Sequence, residues 1–467
     1  MLDQLKEIVG AAHVLTQEDM AKYSQDWTHE FRWTPLAVVR PATTAEVAAV
    51  VKLASDTNTA VVPVSGNTNL AAAATAEGAV MISLERMNAI REIRPEAKLA
   101  IVEAGVVLAT LREAVEQHGL IFPLTFGAQG SAMIGGNLAT NAGGSNVLRY
   151  GNTRDLCLGL EVVLPSGEVM DIMSELHKDN SGYNLKHLFI GAEGTLGIIT
   201  AAVLKLSAKP RAYATAMVAT QSVSGALDVL NRLQAATGGS VEAFEYMPKP
   251  YIDAHMRQIS GARAPFSSPY AHTVLVEVGA TSEAAAASGA DGRPMVASQL
   301  EETLSALLEA EVVCDAVVAQ NETQRREMWA RREAAAEVVF AQMPVINNDI
   351  AVPVDKVESF LARADAAIKQ ADPGAFAYVV AHLGDGNVHY AVKAPNYTPE
   401  IKAQIVEIVE DCVLHFGGSF SAEHGIGTYK LPSMARRKNK AALSAMRAIK
   451  TALDPKGIMN PGKVIPE

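Results

Sequence analysis

His382, Asp385, Gly386 and His389 fall in one run, HLGDGNVH, and Glu423 follows in SAEHGIG with His424 beside it. An Asp-Gly pair between two apolar runs is a hairpin signal, so the two imidazoles are expected on facing strands, near enough to share an ion. Glu423 would complete a His, His, carboxylate set with positions left open for substrate, as a catalytic rather than a structural zinc site requires. Manganese or iron accepts the same donors. Asp385 or backbone carbonyls could orient the imidazoles from behind. Spacing alone leaves a rival reading open, because histidines this far apart also occur as ordinary turn and strand residues, and a metal site needs its third ligand and its geometry.

A second kind of chemistry is written in glycine. PVSGNTNLAAAAT from Pro63, GAQGSAMIGGNLATNAGGSN from Gly127 and GAEGTLGIIT from Gly191 are dense in Gly, Asn and Thr. Glycine lets backbone approach a ligand closely and turn its N–H groups into an anion-binding nest. Asn67, Thr68, Asn137, Thr140 and Asn141 add neutral hydrogen-bonding groups. Such loops suit a pyrophosphate held without a dedicated cation. None follows the GxGxxG or GxxxxGK[ST] pattern, so neither a Rossmann site nor a P-loop is supported. Taken one at a time each is an ordinary turn cluster; three in one stretch exceed what short connections require.

The elements that must position these groups alternate. LAVVRP, TAVVPVSG, AVMISLER, LAIVEAGV and LGLEVVLPSGEVMDI read as strands, and TTAEVAAVVKLASDT and VLATLREAVEQHG as helices. Thr43 or Thr44 before Glu46 predicts a helix cap, and Gly119 a helix end. After Lys209-Pro210-Arg211 the glycine density falls and long helix patterns separate strands such as HTVLVEVGA and AYVVAHLGDGNVHYAVK. EAAAASGADGRP reads as a polar loop before a helix starting near Met295. The fold class expected is α+β, in four stretches: an N-terminal helical segment 1–35, a glycine-rich domain 36–209, a second domain 210–420 with an antiparallel sheet covered by helices, and a C-terminal segment 421–467. Its Pro- and Gly-rich tail, LDPKGIMNPGKVIPE, is either frayed or pinned against a ligand.

The 467 residues suggest two or three domains. No apolar run reaches the roughly 20 residues of a membrane-spanning helix, and the start lacks the marks of a secretory signal. A soluble, cytoplasmic protein is expected, with Cys157, Cys314 and Cys412 too scattered to form a disulfide framework. A formal charge of −11 disfavours nucleic acid and anionic lipid as partners. Arg436, Arg437, Lys438 and Lys440 are read as a solvated helix face.

The order PVSGNT, IGGNLATNAGGSNVLRYG, GLEVVLPSG, FIGAEGTLGIIT resembles the two-subdomain FAD-binding domain of the vanillyl-alcohol oxidase superfamily. Within it the chain is most similar to the group of D-2-hydroxyglutarate dehydrogenases, D-lactate dehydrogenases and glycolate oxidase subunits, from about Trp27 to the last residues. The resemblance implies FAD with its pyrophosphate on a 63–69 loop (Pro63, Ser65, Gly66, Asn67, Thr68, Asn69) and a 135–144 loop (Gly135, Gly136, Asn137, Thr140, Asn141, Gly143, Gly144). It puts Glu193, Gly194, Gly197 and Ile199 beside the adenosine and ring portions and returns Asn460 to the flavin, which favours a pinned tail. No His or Cys occurs in 63–74 or 127–146 to link flavin covalently, so FAD is expected to be non-covalent.

The resemblance also implies a divalent metal, usually zinc, on His382, His389 and Glu423, and a substrate carboxylate on Arg332. His424 is the expected general base, since oxidising an alcohol removes a hydroxyl proton and a C2 hydride, and an imidazole suits the first task. Arg325, Arg326, Arg331 and Arg332 share one charged helix, where a solvated face is the plain alternative. Where the hydroxyglutarate enzymes carry a Thr, a Lys and an Asn for substrate, this chain has Ala336, Asn347 and Ala391. A smaller or more apolar 2-hydroxy acid than a five-carbon diacid becomes credible.

The expected activity is therefore oxidation of a D-2-hydroxy acid, D-2-hydroxyglutarate or D-lactate-like, with electrons leaving to an electron-transfer flavoprotein, quinone or cytochrome, in a chain that could pair as a homodimer. The rivals are an oxygen-using flavin oxidase, a catalytically silent flavin-binding subunit of a glycolate-oxidase-like complex, and a metal hydrolase with merely structural glycine loops.

Overall fold

A computed structural model describes all residues of the chain except 28, 290 and 291. The chain packs as two compact units: Met1–Gly143 with Gly151–Ala208 and Glu423–Glu467, and Gly144–Tyr150 with Lys209–Ala422. The short segment Gly144–Tyr150 thus belongs with the second unit although the sequence on either side belongs with the first.

The first unit has two subdomains. One is a four-stranded sheet in the order Val14–Leu15, Ala37–Val39, Val80–Ser83, Val61–Val64, parallel except at its first pair. Parallel strands need crossovers, and the helix Thr44–Asp56 supplies one by burying Val47, Val50, Val51 and Ala54, which recur at helical spacing. Its start is the expected cap: Thr43 accepts the Glu46 N–H, and the Glu46 carboxylate reaches back to the Ala42 N–H. The helix Leu108–Glu116 ends near Gly119, whose φ of +67° suits glycine. The other subdomain is an antiparallel sheet of five strands: Ile90–Arg94, Leu99–Glu103, Ile198–Lys205, Cys157–Val163, Val169–Ile172.

The second unit is built on a seven-stranded antiparallel sheet ordered Val313–Val318, Ala212–Thr220, His272–Ala280, Val241–Tyr246, Phe376–His382, Asn387–Lys393, Ile346–Ala351. Because side chains alternate along a strand, the two faces differ. One carries Val218, Val276, Phe244, Val379, Val388 and Ile350 into a core closed by the helices Val223–Thr237, Met295–Glu309, Val357–Ala371 and Pro399–His415. The other packs Met217, Leu275, Tyr378 and Val380 against the helices Lys249–Gln258, Glu322–Glu333 and Ala335–Phe340. That second face also carries charge, described below. The stretch expected as a polar loop, 283–294, opens with a helical turn at Glu283–Ala286; its residues 290 and 291 lie outside the described ones.

The tail is pinned. Met459 bridges Val61 in parallel, Ile458 and Met459 are buried, and Lys463 donates to the Thr75 and Pro461 carbonyls. Among the described residues, no helix is long and apolar enough to cross a membrane.

Candidate functional site

In the first unit the three glycine-rich loops converge. A methyl group on Gly66 would lie 2.1 Å from the Ser131 carbonyl oxygen, one on Gly194 2.4 Å from Pro63 Cγ, and one on Gly135 2.8 Å from Ala104 Cβ, so backbone runs where no side chain fits. Gly136 comes up against Ser65, and Gly197 against Val162. Asn67, Asn141 and Glu193 take positive φ. Asparagine tolerates that region; a glutamate there is held by its surroundings. The Glu193 carboxylate accepts the N–H groups of Ile426 and Gly427, at 2.7 and 2.8 Å, and burial raises its pKa despite those two bonds.

Several predicted cofactor residues hold the loops themselves. Asn69 accepts the Ala73 N–H, Thr140 donates to the Gly136 carbonyl, Asn141 accepts the Arg154 N–H, and Asn67 donates to the Gln25 carbonyl. Asn460 donates to the Ala73 and Glu193 carbonyls, joining the tail to the first and third loops. Ser65 and Thr68 are half-buried beside them, Ile199 is buried on the Ile198–Lys205 strand, and Gly143 and Gly144 straddle the division between the units.

Three polar atoms in this cradle, Asn67 Oδ1, Asn137 Nδ2 and Asn460 Oδ1, are buried without a hydrogen-bond partner among the described residues. Leaving such an atom alone costs about 1–3 kcal/mol. Neutral donors and acceptors around close-approach glycines fit a dinucleotide such as FAD.

The second unit brings His382, His389 and Arg332 to the charged face of its sheet. His382 ends one hairpin strand and His389 lies on the next; Asp385 accepts the Asn387 N–H, Gly386 turns with φ of +81°, and the imidazole centroids are 5.5 Å apart. Each histidine has a buried carboxylate as its register partner in the neighbouring strand. Glu245 lies opposite His382, with Oε1 2.8 Å from Nδ1; Asp349 lies opposite His389, with Oδ1 3.7 Å from Nδ1. Glu245 is fully buried. Burial pushes its carboxyl up, but His382 and Arg332 outweigh burial and hold it down at about 2. An ionised Glu245 is acceptor-only, so His382 Nδ1 carries the proton between them, and Nε2 bears the lone pair when the imidazole is neutral. Two such imidazoles on one face, with carboxylates beside them, suit a divalent ion of the zinc, manganese or iron type.

Arg332 is not on a solvated face. Its Nε donates to Glu245 Oε2 at 2.6 Å, and its Nη2 is 3.4 Å from His382 Nε2. Arg325 and Trp329, on the same helical stripe, donate to the buried Glu277, while Arg331 is buried against the Arg263 carbonyl; Arg326 is exposed. Ala336 sits on the following helix, and Asn347 and Ala391 are register partners in adjacent strands.

Glu423 and His424 belong to the first unit, where Glu423 Oε1 is 3.6 Å from His424 Nε2. The second unit ends at Ala422, whose N–H donates to the Asp349 carbonyl, so Glu423 is the next residue along the chain.

Glu245, Asp349, Glu277 and Glu242 lie in strands that carry no motif marking them as site residues. Glu242 accepts from Arg149, Tyr150 and Asn146 and so ties down the Gly144–Tyr150 segment. Glu242 and Glu245 did leave a signal: two carboxylates in the six-residue strand VEAFEY, every residue of which is buried. Buried acids require partners.

Comparisons with known proteins agree with this architecture. The family described as FAD linked oxidases, C-terminal domain, matches residues 209–464, and the FAD binding domain family matches residues 35–173. A D-2-hydroxyglutarate dehydrogenase of Xanthomonas citri pv. viticola is 35% identical over 469 residues, covering 98% of this chain and 96% of that protein. The mitochondrial D-2-hydroxyglutarate dehydrogenase of Bos taurus is 34% identical, covering 100% of this chain and 83% of its own. Among solved structures, p-cresol methylhydroxylase superposes with a TM-score of 0.75 at 16% identity over 99% of this chain and 95% of that one, a likeness of fold. The chain belongs to the FAD-linked oxidases and, within them, to the family of the D-2-hydroxyglutarate dehydrogenases, FAD-dependent oxidoreductases acting on hydroxy acids.

Proposed function

We propose that this chain oxidises a D-2-hydroxy acid to the 2-oxo acid, with His424 as the base that takes the hydroxyl proton and Arg332 as the partner of the substrate carboxylate. The observation that carries the reading is the pair of neighbouring histidines, His382 and His389, each backed by a buried carboxylate on one sheet face. With Glu423 they would hold a divalent metal, zinc first among the candidates. That ion would lower the hydroxyl pKa and fix the α-hydroxycarboxylate in one orientation. The loops around Gly66, Asn137 and Gly194 would hold FAD without a covalent link, and the flavin would supply the acceptor for the C2 hydride.

A neutral imidazole at His424 can accept the hydroxyl proton on a ring nitrogen and release it to water between turnovers. Arg332 presents a planar fork of N–H groups suited to a carboxylate, and its Nε bond to Glu245 fixes the fork's orientation. With Ala336, Asn347 and Ala391 in place of polar binding groups, the preferred substrate is smaller or more apolar than hydroxyglutarate, of the D-lactate kind. Electrons then leave to an external acceptor such as an electron-transfer flavoprotein, quinone or cytochrome. The three free cysteines, two of them buried, support a reducing compartment such as the cytoplasm.

Anaerobic mixing of the purified yellow protein with a panel of D and L hydroxy acids, with and without chelator, tests the reading. Bleaching by D acids only, lost on chelation, is expected; a flavin that no hydroxy acid bleaches overturns it.

A further inference from the structure

We infer that Glu245 is the positioning residue of the metal site: it fixes the His382 tautomer and ring plane so that Nε2 addresses the ion, and it is itself clamped by Arg332. This rests on the metal reading above and adds a residue to it that touches neither ion nor flavin.

The geometry is specific. Glu245 Oε1 is 2.8 Å from His382 Nδ1 and Oε2 is 2.6 Å from Arg332 Nε, so each oxygen has one partner and the carboxylate cannot rotate without losing both. The side chain is completely buried, and no water shell competes for it. The register of the two strands puts Glu245 directly across from His382, so the pairing is built into the sheet. The other histidine is held differently. Asp349 stands 3.7 Å from His389 Nδ1, beyond hydrogen-bond length, and the same Asp349 oxygen accepts from Asn387 Nδ2 at 3.0 Å. The two imidazoles are therefore backed differently: His382 by a carboxylate at hydrogen-bond distance, His389 by one farther away. A locked imidazole loses less freedom on ligation, and a carboxylate on its far nitrogen makes it more basic.

The test is zinc(II) affinity of the FAD-loaded protein, measured by competition with a chromophoric chelator, for wild type and Glu245→Gln. Glutamine can still accept from Nδ1–H, but it turns an N–H2 toward Arg332 and loses the charge. The expected result is a loss of affinity of about 10- to 100-fold, with flavin absorbance and FAD content unchanged. Equal affinities overturn this inference alone; a wild type that takes up no zinc overturns it together with the metal reading. A measurement on the wild type guards against a variant that does not fold. In the cobalt(II)-substituted protein, an imidazole N–H held by a buried carboxylate gives a hyperfine-shifted proton resonance that persists in water and exchanges slowly into deuterium oxide. One such slowly exchanging resonance, absent from His382→Ala, supports the inference, and rapid exchange of every shifted N–H overturns it.

Discussion

Glu245 and His382 face each other across two antiparallel strands that are 137 positions apart in sequence, joined carboxylate to imidazole at 2.8 Å. That pairing buries a carboxylate between the His382 imidazole on the neighbouring strand and the Arg332 guanidinium on the helix Glu322–Glu333.

The first expectation concerns His424. Replacing it with alanine should slow anaerobic flavin reduction by about 100- to 10,000-fold while FAD content stays at the wild-type level. Stopped-flow absorbance reads the rate. A variant that bleaches at the wild-type rate removes His424 from the role of base.

His389→Ala should lower bound zinc or manganese, measured by elemental analysis, and the same loss should follow from dialysing wild type against chelator. Flavin should remain bound in both cases, since the cradle of Gly66, Asn137 and Asn460 lies in the other unit. Loss of flavin in step with the metal would contradict this separation.

Gly66→Ala tests the cradle. Its new methyl would sit 2.1 Å from the Ser131 carbonyl, and backbone cannot give way as a flexible side chain can. The expected result is at least a tenfold weaker FAD affinity by fluorescence titration, on the order of 1.4 kcal/mol. Unchanged affinity would place the cofactor elsewhere.

The tail carries a pH signature. Burial lowers the Lys463 pKa from the ordinary 10.5 to about 8. Between those values the unfolded chain binds more protons than the folded one, so stability rises with pH across the window. Against Lys463→Met, wild type should gain on the order of 1 kcal/mol from pH 8 to 10.5, read by chemical denaturation. A gain of the same size in both proteins assigns the effect to other groups.

Substrate size is set, on the reading above, by missing polar groups. Asn347→Lys combined with Ala391→Asn restores a cation and an amide on two register partners. The ratio of kcat/KM for D-2-hydroxyglutarate over D-lactate should rise about tenfold, worth roughly 1.4 kcal/mol. A ratio that falls or holds would detach substrate choice from these positions.

Local pattern made much of this legible. The DG turn, the helix cap at Thr43 and the glycine loops are short-range features, fixed by residues a few positions apart, and they stand where the sequence puts them. Strand partnership is different. Nothing near His382 names Glu245, and nothing in the run from Arg325 to Arg332 says that Arg325, Trp329 and Arg332 turn inward while Arg326 faces water, because the deciding charges, Glu245 and Glu277, lie on strands far back along the chain. The tail LDPKGIMNPGKVIPE is compatible in sequence with fraying or with pinning against a ligand; the bridge from Met459 to Val61 excludes fraying and holds it on the chain's own strand.

That bridge has a consequence for synthesis on the ribosome. The second unit is drawn almost wholly from one continuous stretch, 209–422, whereas the first includes residues up to Glu467. Vectorial translation therefore delivers a complete sheet for the second unit while the first still lacks Met459, and with it the Asn460 hydrogen bonds that join two of the glycine loops. Nascent chains halted before residue 459 would hold a folded second unit and an unfinished first one, and cofactor capture would be among the last events in the protein's assembly.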